Sequence, residues 1–135
     1  MAGFPSVSQG ALAAFRGETS RIIAETASRA LSRTDEVAHH GTEAARIITS
    51  GIEFTVRMLD ATMAAGESAM LEDELQWALD RLPHDGVSAG HMLSRFALLR
   101  GVVKERMPPA PAAEVASLIA WMEKRLRELA AGRNG

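Results

Sequence analysis

Two short stretches of this 135-residue chain carry side chains whose types and spacing could do chemistry. The first runs from Gly86 to Gly90 and reads G-V-S-A-G, with Asp85 before it and His91 after it. It matches the G-x-S-x-G elbow of α/β hydrolases, in which a sharp strand-to-helix turn exposes the serine oxygen. No strand pattern flanks Ser88, so we interpret the stretch as a helix boundary. Gly86 ends one helix, Ser88 caps the next, and His91 is a polar residue in its first turn. A hydrolase that uses Ser88 is the less favoured alternative.

The second stretch holds Glu36, His39, His40 and Glu43 in the pattern E-x-x-H-H-x-x-E. On one continuous helix, Glu36, His40 and Glu43 would share a face that suits a metal ion. Gly41 interrupts that helix, and carboxylate-bridged dimetal bundles need a Glu-x-x-His motif on two helices, of which we find one. We therefore predict a solvated polar turn and no metal site, with a metal-binding helical protein as the alternative.

Composition restricts the class of protein. Cysteine is absent, which excludes disulfides, thiolate chemistry and thioether-linked chromophores. Fifteen basic and seventeen acidic residues give a net charge of −2, which provides no general attraction for nucleic acid or anionic lipid. No apolar run approaches the ~20 residues of a membrane span, and the start MAGFPSVSQG lacks the features of a secretory signal. We expect a soluble, cytoplasmic protein with no nucleic-acid or membrane partner.

The elements that must position these residues are helices, because apolar residues recur at three- and four-residue steps throughout the chain. A long first helix contains Gly17, another segment ends at Gly66, and a third runs from about Ser68 to the breaker Pro83. A fourth lies between the Ser88 cap and Pro108. The last is predicted to end before Gly132 and to bury one stripe: Val115, Leu118, Ile119, Met122, Leu126 and Leu129. We treat 1–135 as one all-α domain of about six helices, with N-terminal helices in 1–44 and a core in 45–131.

From Ile47 onward the order of segments is similar to that of a known family. A long helix ending LDATMAAG precedes a shorter LEDELQWALDRLP helix, a GVSAGHMLSRFALLRGVV helix, a proline-marked corner and a final amphipathic helix. This order resembles the globin-fold sensor domains related to phycobiliproteins, such as the haem-free amino-terminal domain of RsbR-type stressosome proteins. The tryptophan and the turn after it also resemble segments that precede some cobalamin-binding regulator domains. The resemblance covers roughly residues 45 to 130 and implies a globin-like sensory fold.

The departures from these relatives predict the absence of their cofactors. A haem globin would need a proximal histidine on the helix from Ser68 to Leu82, which contains none, and His84 lies beyond Pro83. A bilin carrier would need cysteine, and the D-x-H-x-x-G cobalamin motif is missing. We therefore expect no cofactor and a free-standing, sensor-like domain.

Two tryptophans lie off the apolar stripes of their own helices. Trp121 points roughly 100° away from the stripe of the last helix, and Trp77, beside Met70, lies about as far from the stripe of its helix. Aromatic residues and methionine are enriched at subunit contacts, so we predict an interface that includes Trp77, Trp121 and Met70. Packing at the core edge and the wall of a ligand pocket are the alternatives.

Together these observations predict a non-enzymatic sensory or regulatory module that acts through protein–protein contact. We expect a homodimer, a regulatory protein partner and room for a small apolar ligand. The alternative from another class is a helical scaffold or coat-type interaction protein.

Overall fold

The structure is a computed structural model that describes residues 4–134. Residues 1–3 and residue 135 of the predicted domain lie outside the described residues. These residues form helices and no strand, which confirms the all-α prediction. Two 3₁₀ turns, Gly41–Glu43 and Leu82–Asp85, accompany the α-helices. The α-helices are α1 (Gln9–Leu31), α2 (Thr34–His40), α3 (Ala44–Ala65), α4 (Ala69–Arg81), α5 (Ala89–Arg106) and α6 (Pro109–Asn134).

Helix α1 packs against α3, α5 and α6, and α5 and α6 lie side by side. Phe15 and Ile22 of α1 are fully buried, as are Ile48 of α3 and Ile119 of α6. Burying each such side chain contributes about 1.5–3 kcal/mol, so this shared core holds the long helices together. Helix α4 packs against α3 and α6 at the edge of the core. No helix within residues 4–134 has the length and apolar character that crossing a membrane requires.

The predicted helix boundary at Gly86 and Ser88 is confirmed. Gly86 has φ 83°, a left-handed conformation that glycine adopts without a steric penalty. Ser88 Oγ accepts a hydrogen bond from the His91 backbone amide at 3.1 Å. The His91 ring also faces the Ser88 amide, with Nδ1 at 3.4 Å from the nitrogen. This is a capping box in which histidine replaces the usual glutamate or glutamine.

One predicted helix end differs from the structure, and one predicted break is confirmed. The last helix was predicted to end before Gly132, but α6 continues through it to Asn134, since a glycine near an exposed helix end weakens the helix by only about 1 kcal/mol. The break predicted at Gly41 is present, with φ 63°.

Candidate binding site

A cavity of about 530 Å³ lies between α3, α4 and α5 and reaches the 3₁₀ turn Leu82–Asp85. Its volume is within the range of small-molecule sites in proteins. Buried apolar side chains line it, among them Leu75 of α4 and Met92 and Phe96 of α5. The cavity is therefore a largely apolar space between three helices.

The aromatic wall of the cavity is formed by Trp77 of α4 and Phe54 of α3, whose ring centroids are 5.8 Å apart and whose planes are tilted by 39°. Trp77 is 48% exposed, so this wall also faces solvent. Charged side chains such as Arg46 and Asp85 also line the cavity, and both are more than half exposed. The opening is thus aromatic and charged, whereas the interior is mainly apolar.

The three residues predicted for an interface have different surroundings. Trp77 is part of the cavity wall, which was the alternative proposed for it. Met70, at the start of the same helix, is 39% exposed. Trp121 is half-buried and packs edge-on against Phe4, with centroids 5.0 Å apart and an interplanar angle of 89°. Trp121 thus has an aromatic partner within its own chain.

One buried cation, Arg95 of α5, faces the cavity from the direction of α2. Its Nε donates a hydrogen bond to Glu36 Oε1 at 2.9 Å, and its Nη2 donates to the same oxygen. The Arg95 side chain is 7% exposed and the Glu36 side chain 3%, so the two charges neutralise each other largely out of contact with water. Among the side chains that the structure describes, none accepts a hydrogen bond from Nη1. Arg95 was not predicted from the sequence, because a basic residue on a helix is ordinarily exposed.

Gly51 of α3 makes room for this guanidinium. A Cβ atom built at Gly51 would lie 2.5 Å from Arg95 Nη1. That distance is far inside van der Waals contact, so any larger residue at position 51 would displace the guanidinium or the helix. The Arg95–Glu36 pair therefore depends on a glycine in the middle of α3.

Beside this ion pair, three histidines converge from two helices. Their ring centroids lie 5.0 Å (His39–His40), 5.3 Å (His39–His91) and 5.8 Å (His40–His91) apart. His39 Nε2 is 2.8 Å from the Gly86 carbonyl oxygen, which ties α2 to the turn that precedes α5. The turn that resembled a nucleophile elbow therefore serves to position His91 near His39 and His40.

His40 is the most buried of the three, with its side chain 3% exposed. Burial lowers the pKa of His40 below the ordinary imidazole value of about 6.5. The nearby Glu36 charge opposes this shift, and the Arg95 charge adds to it. His40 Nε2 lies 3.5 Å from Glu36 Oε1, too far for a normal hydrogen bond. It has no hydrogen-bond partner among the described residues.

The prediction of a solvated polar turn is wrong for Glu36 and His40, whose side chains are each 3% exposed. The face that Glu36, His40 and Glu43 would share on one continuous helix forms only in part. Glu36 and His40 lie close together because they are one turn apart on α2. Glu43 lies beyond Gly41 on the 3₁₀ turn, where it pairs at the surface with Arg46 at 2.6 Å. His91 takes the third position, and one ligand atom each from Glu36, His40 and His91 lie within 4.8 Å of one another. From the sequence, His91 was predicted only to lie in the first turn of a helix, since nothing local indicates its contact with α2.

Comparisons of the chain with protein-family profiles, with curated protein sequences and with solved structures find no match. The resemblance to globin-fold sensors therefore stays a prediction.

Proposed function

We propose that this protein is a non-enzymatic, ligand-binding sensory module with a globin-like fold. Its ligand is a small, mainly apolar molecule that carries a carboxylate, for which octanoate or an aromatic carboxylate is a suitable probe. The observation that carries the proposal is the 530 Å³ apolar cavity with a buried guanidinium in its wall.

The apolar lining supplies the affinity in this proposal. Each ligand methylene that leaves water for such a lining contributes about 0.8 kcal/mol. Trp77 and Phe54 offer aromatic surface for the same purpose. Arg95 supplies the specificity, because Nη1 has no acceptor among the described side chains while Nε and Nη2 are held by Glu36. A carboxylate at Nη1 would accept a charge-assisted hydrogen bond, which a neutral ligand forms less strongly.

Output is proposed to pass through protein contact at α4, either with a second copy of the chain or with a regulatory partner. Met70 and Trp77, both on α4, are the exposed large hydrophobic side chains among the described residues. Trp77 also lines the cavity, so a ligand that repositions its ring would alter the surface offered to a partner. A hydrolase is not favoured, because Ser88 Oγ accepts the amide hydrogen of His91 as an N-cap.

The proposal is tested by titrating octanoate into the Trp121→Phe variant, in which Trp77 is the sole tryptophan and reports on the cavity. We expect a saturable change in Trp77 fluorescence with one ligand per chain, and weaker binding of octanol than of octanoate. The matched control is Trp77→Phe, in which Trp121 should report little change because it packs on Phe4.

A second variant blocks the cavity without touching Arg95. Ala78 of α4 lines the cavity, and Ala78→Leu adds three carbon atoms at that wall. We expect octanoate affinity to fall at least 10-fold while unfolding remains cooperative. The absence of saturable binding in the parent, or equal affinity in Ala78→Leu, would refute the proposal.

A further inference from the structure

We propose that Glu36, His40 and His91 form a binding site for a divalent ion of the zinc class. The proposal is independent of the ligand assigned to the cavity. Two imidazoles and one carboxylate are a donor set that Zn²⁺ takes, with the fourth position left to water or another small ligand. The residues come from two elements, with Glu36 and His40 on α2 and His91 in the first turn of α5.

The three ligand atoms would have to move only a short distance to bind one metal ion. The three ligand atoms lie within 4.8 Å of one another. Tetrahedral bonds of about 2.0–2.1 Å place ligand atoms roughly 3.3–3.4 Å apart. The side chains must therefore close by at most about 1–1.5 Å, which small rotations about their χ angles provide.

An independent observation points to a missing partner at the same place. His40 Nε2 is buried and without a hydrogen-bond partner among the described residues. A buried polar atom without a partner is unfavourable by about 1–3 kcal/mol, and native proteins usually satisfy such atoms. Glu36 Oε1 at 3.5 Å is too distant to do so. A metal ion between the two side chains would give His40 Nε2 the partner it lacks.

Arg95 has two effects on this site. Its hydrogen bonds to Glu36 fix the carboxylate, as the neighbours of metal ligands commonly do. Its positive charge also repels a dication, and the guanidinium already neutralises Glu36. We therefore expect a dissociation constant on the order of micromolar, weaker than that of a structural zinc site.

Metal binding also changes the N-cap of α5. In the structure, His91 Nδ1 faces the Ser88 amide at a distance of 3.4 Å, which is a weak contact. A metal at Nδ1 displaces this contact directly. A metal at Nε2 displaces it because the ring proton moves to Nδ1, which then cannot accept the Ser88 hydrogen. The Ser88 amide resonance is therefore expected to shift on metal binding, along with the side-chain nitrogens of His40 and His91.

The experiment uses the full chain, stripped with a chelator and then titrated with Co²⁺ by visible absorption and with Zn²⁺ by calorimetry. We expect one ion per chain, bands of tetrahedral or five-coordinate Co²⁺, and a Tm raised by roughly 10 °C at 100-fold excess over the dissociation constant. His40→Gln and His91→Gln should each weaken binding at least 10-fold. The matched control is His84→Gln, which removes an exposed histidine of the neighbouring 3₁₀ turn and should leave affinity unchanged.

Three results would overturn the proposal: no saturable binding in the parent, unchanged affinity in both His40→Gln and His91→Gln, or loss of affinity in His84→Gln alone. If a histidine variant fails to fold, the nitrogen resonances of the parent decide. Side-chain nitrogens of His40 and His91 that do not move at saturating Zn²⁺ would also overturn it.

Discussion

Replacing Gly51 with alanine is expected to destabilise the protein, although alanine is the better helix former. In the interior of a helix, Gly→Ala ordinarily stabilises by about 1 kcal/mol. At Gly51 the new Cβ would lie 2.5 Å from Arg95 Nη1. A flexible side chain could move aside at little cost, but Arg95 is buried and held by Glu36 through Nε and Nη2. The substitution thus acts on the ion pair as well as on the helix.

The magnitude follows from these opposing terms. Removing one partner of a buried ion pair destabilises a protein by about 3–5 kcal/mol, because the other charge stays buried without compensation. Displacing Arg95 from Glu36 has a similar effect, from which the gain of about 1 kcal/mol in helix propensity is subtracted. We expect a net loss of about 2–4 kcal/mol, or a fall in Tm of roughly 7–14 °C for a chain of this size.

The assay is urea and thermal unfolding followed by far-ultraviolet circular dichroism. Gly17→Ala is the matched control, since Gly17 lies inside α1 and a Cβ there meets no atom within 4 Å. It should gain up to about 1 kcal/mol. In a variant that also carries Glu36→Gln and Arg95→Met, and therefore lacks both charges, Gly51→Ala should lower the free energy of unfolding much less. If Gly51→Ala were as stabilising as Gly17→Ala, Arg95 would not be held in the way we describe.

Three further outcomes are expected. In chemical denaturation, Ser88→Ala should lower the free energy of unfolding by about 1 kcal/mol, whereas Ser88→Asp should largely preserve it, because a serine hydroxyl or an aspartate carboxylate oxygen can cap α5. Covalent labelling of Ser88 by a fluorophosphonate would contradict this role. With a chelator present, the free energy of unfolding should fall as the pH drops below about 6.5. The reason is that His40 binds a proton more readily in the unfolded chain than in the folded protein, where its pKa is lowered. His40→Gln should make stability less dependent on pH in this range. In analytical ultracentrifugation the chain should self-associate, and Trp77→Ala should weaken the dimer by about 2 kcal/mol or more. Trp121→Ala should affect it less, because Trp121 packs on Phe4; a parent that stays monomeric would refute the homodimer.

The helices and their ends were largely predictable, because local rules decide them. The stripe from Val115 to Leu126 is buried along α6, as its spacing requires. Gly66 and Gly86 have the positive φ angles that end helices, and Ser88 is an N-cap. Each of these features depends on residues within one or two turns, which the sequence displays side by side.

The surroundings of the tryptophans were predictable only in part. Helix geometry correctly placed Trp77 and Trp121 off their main stripes, but it does not say what lies opposite. Trp121 meets Phe4, which precedes α1, and Trp77 meets Phe54 on α3. These contacts depend on how helices pack, and a single helical pattern does not determine the packing partner.

Arg95 shows why the candidate site could not be predicted from local pattern. It follows His91 by one turn on α5, next to Phe96, where a helical pattern treats a charged residue as exposed. Its burial is stable only because α2 supplies Glu36 and α3 supplies a residue without a side chain, Gly51. None of these three residues indicates its role alone, and they come together only after α2, α3 and α5 have packed. The same packing brings His91 to α2, so the cavity wall and the histidine cluster arise from one tertiary arrangement around Arg95.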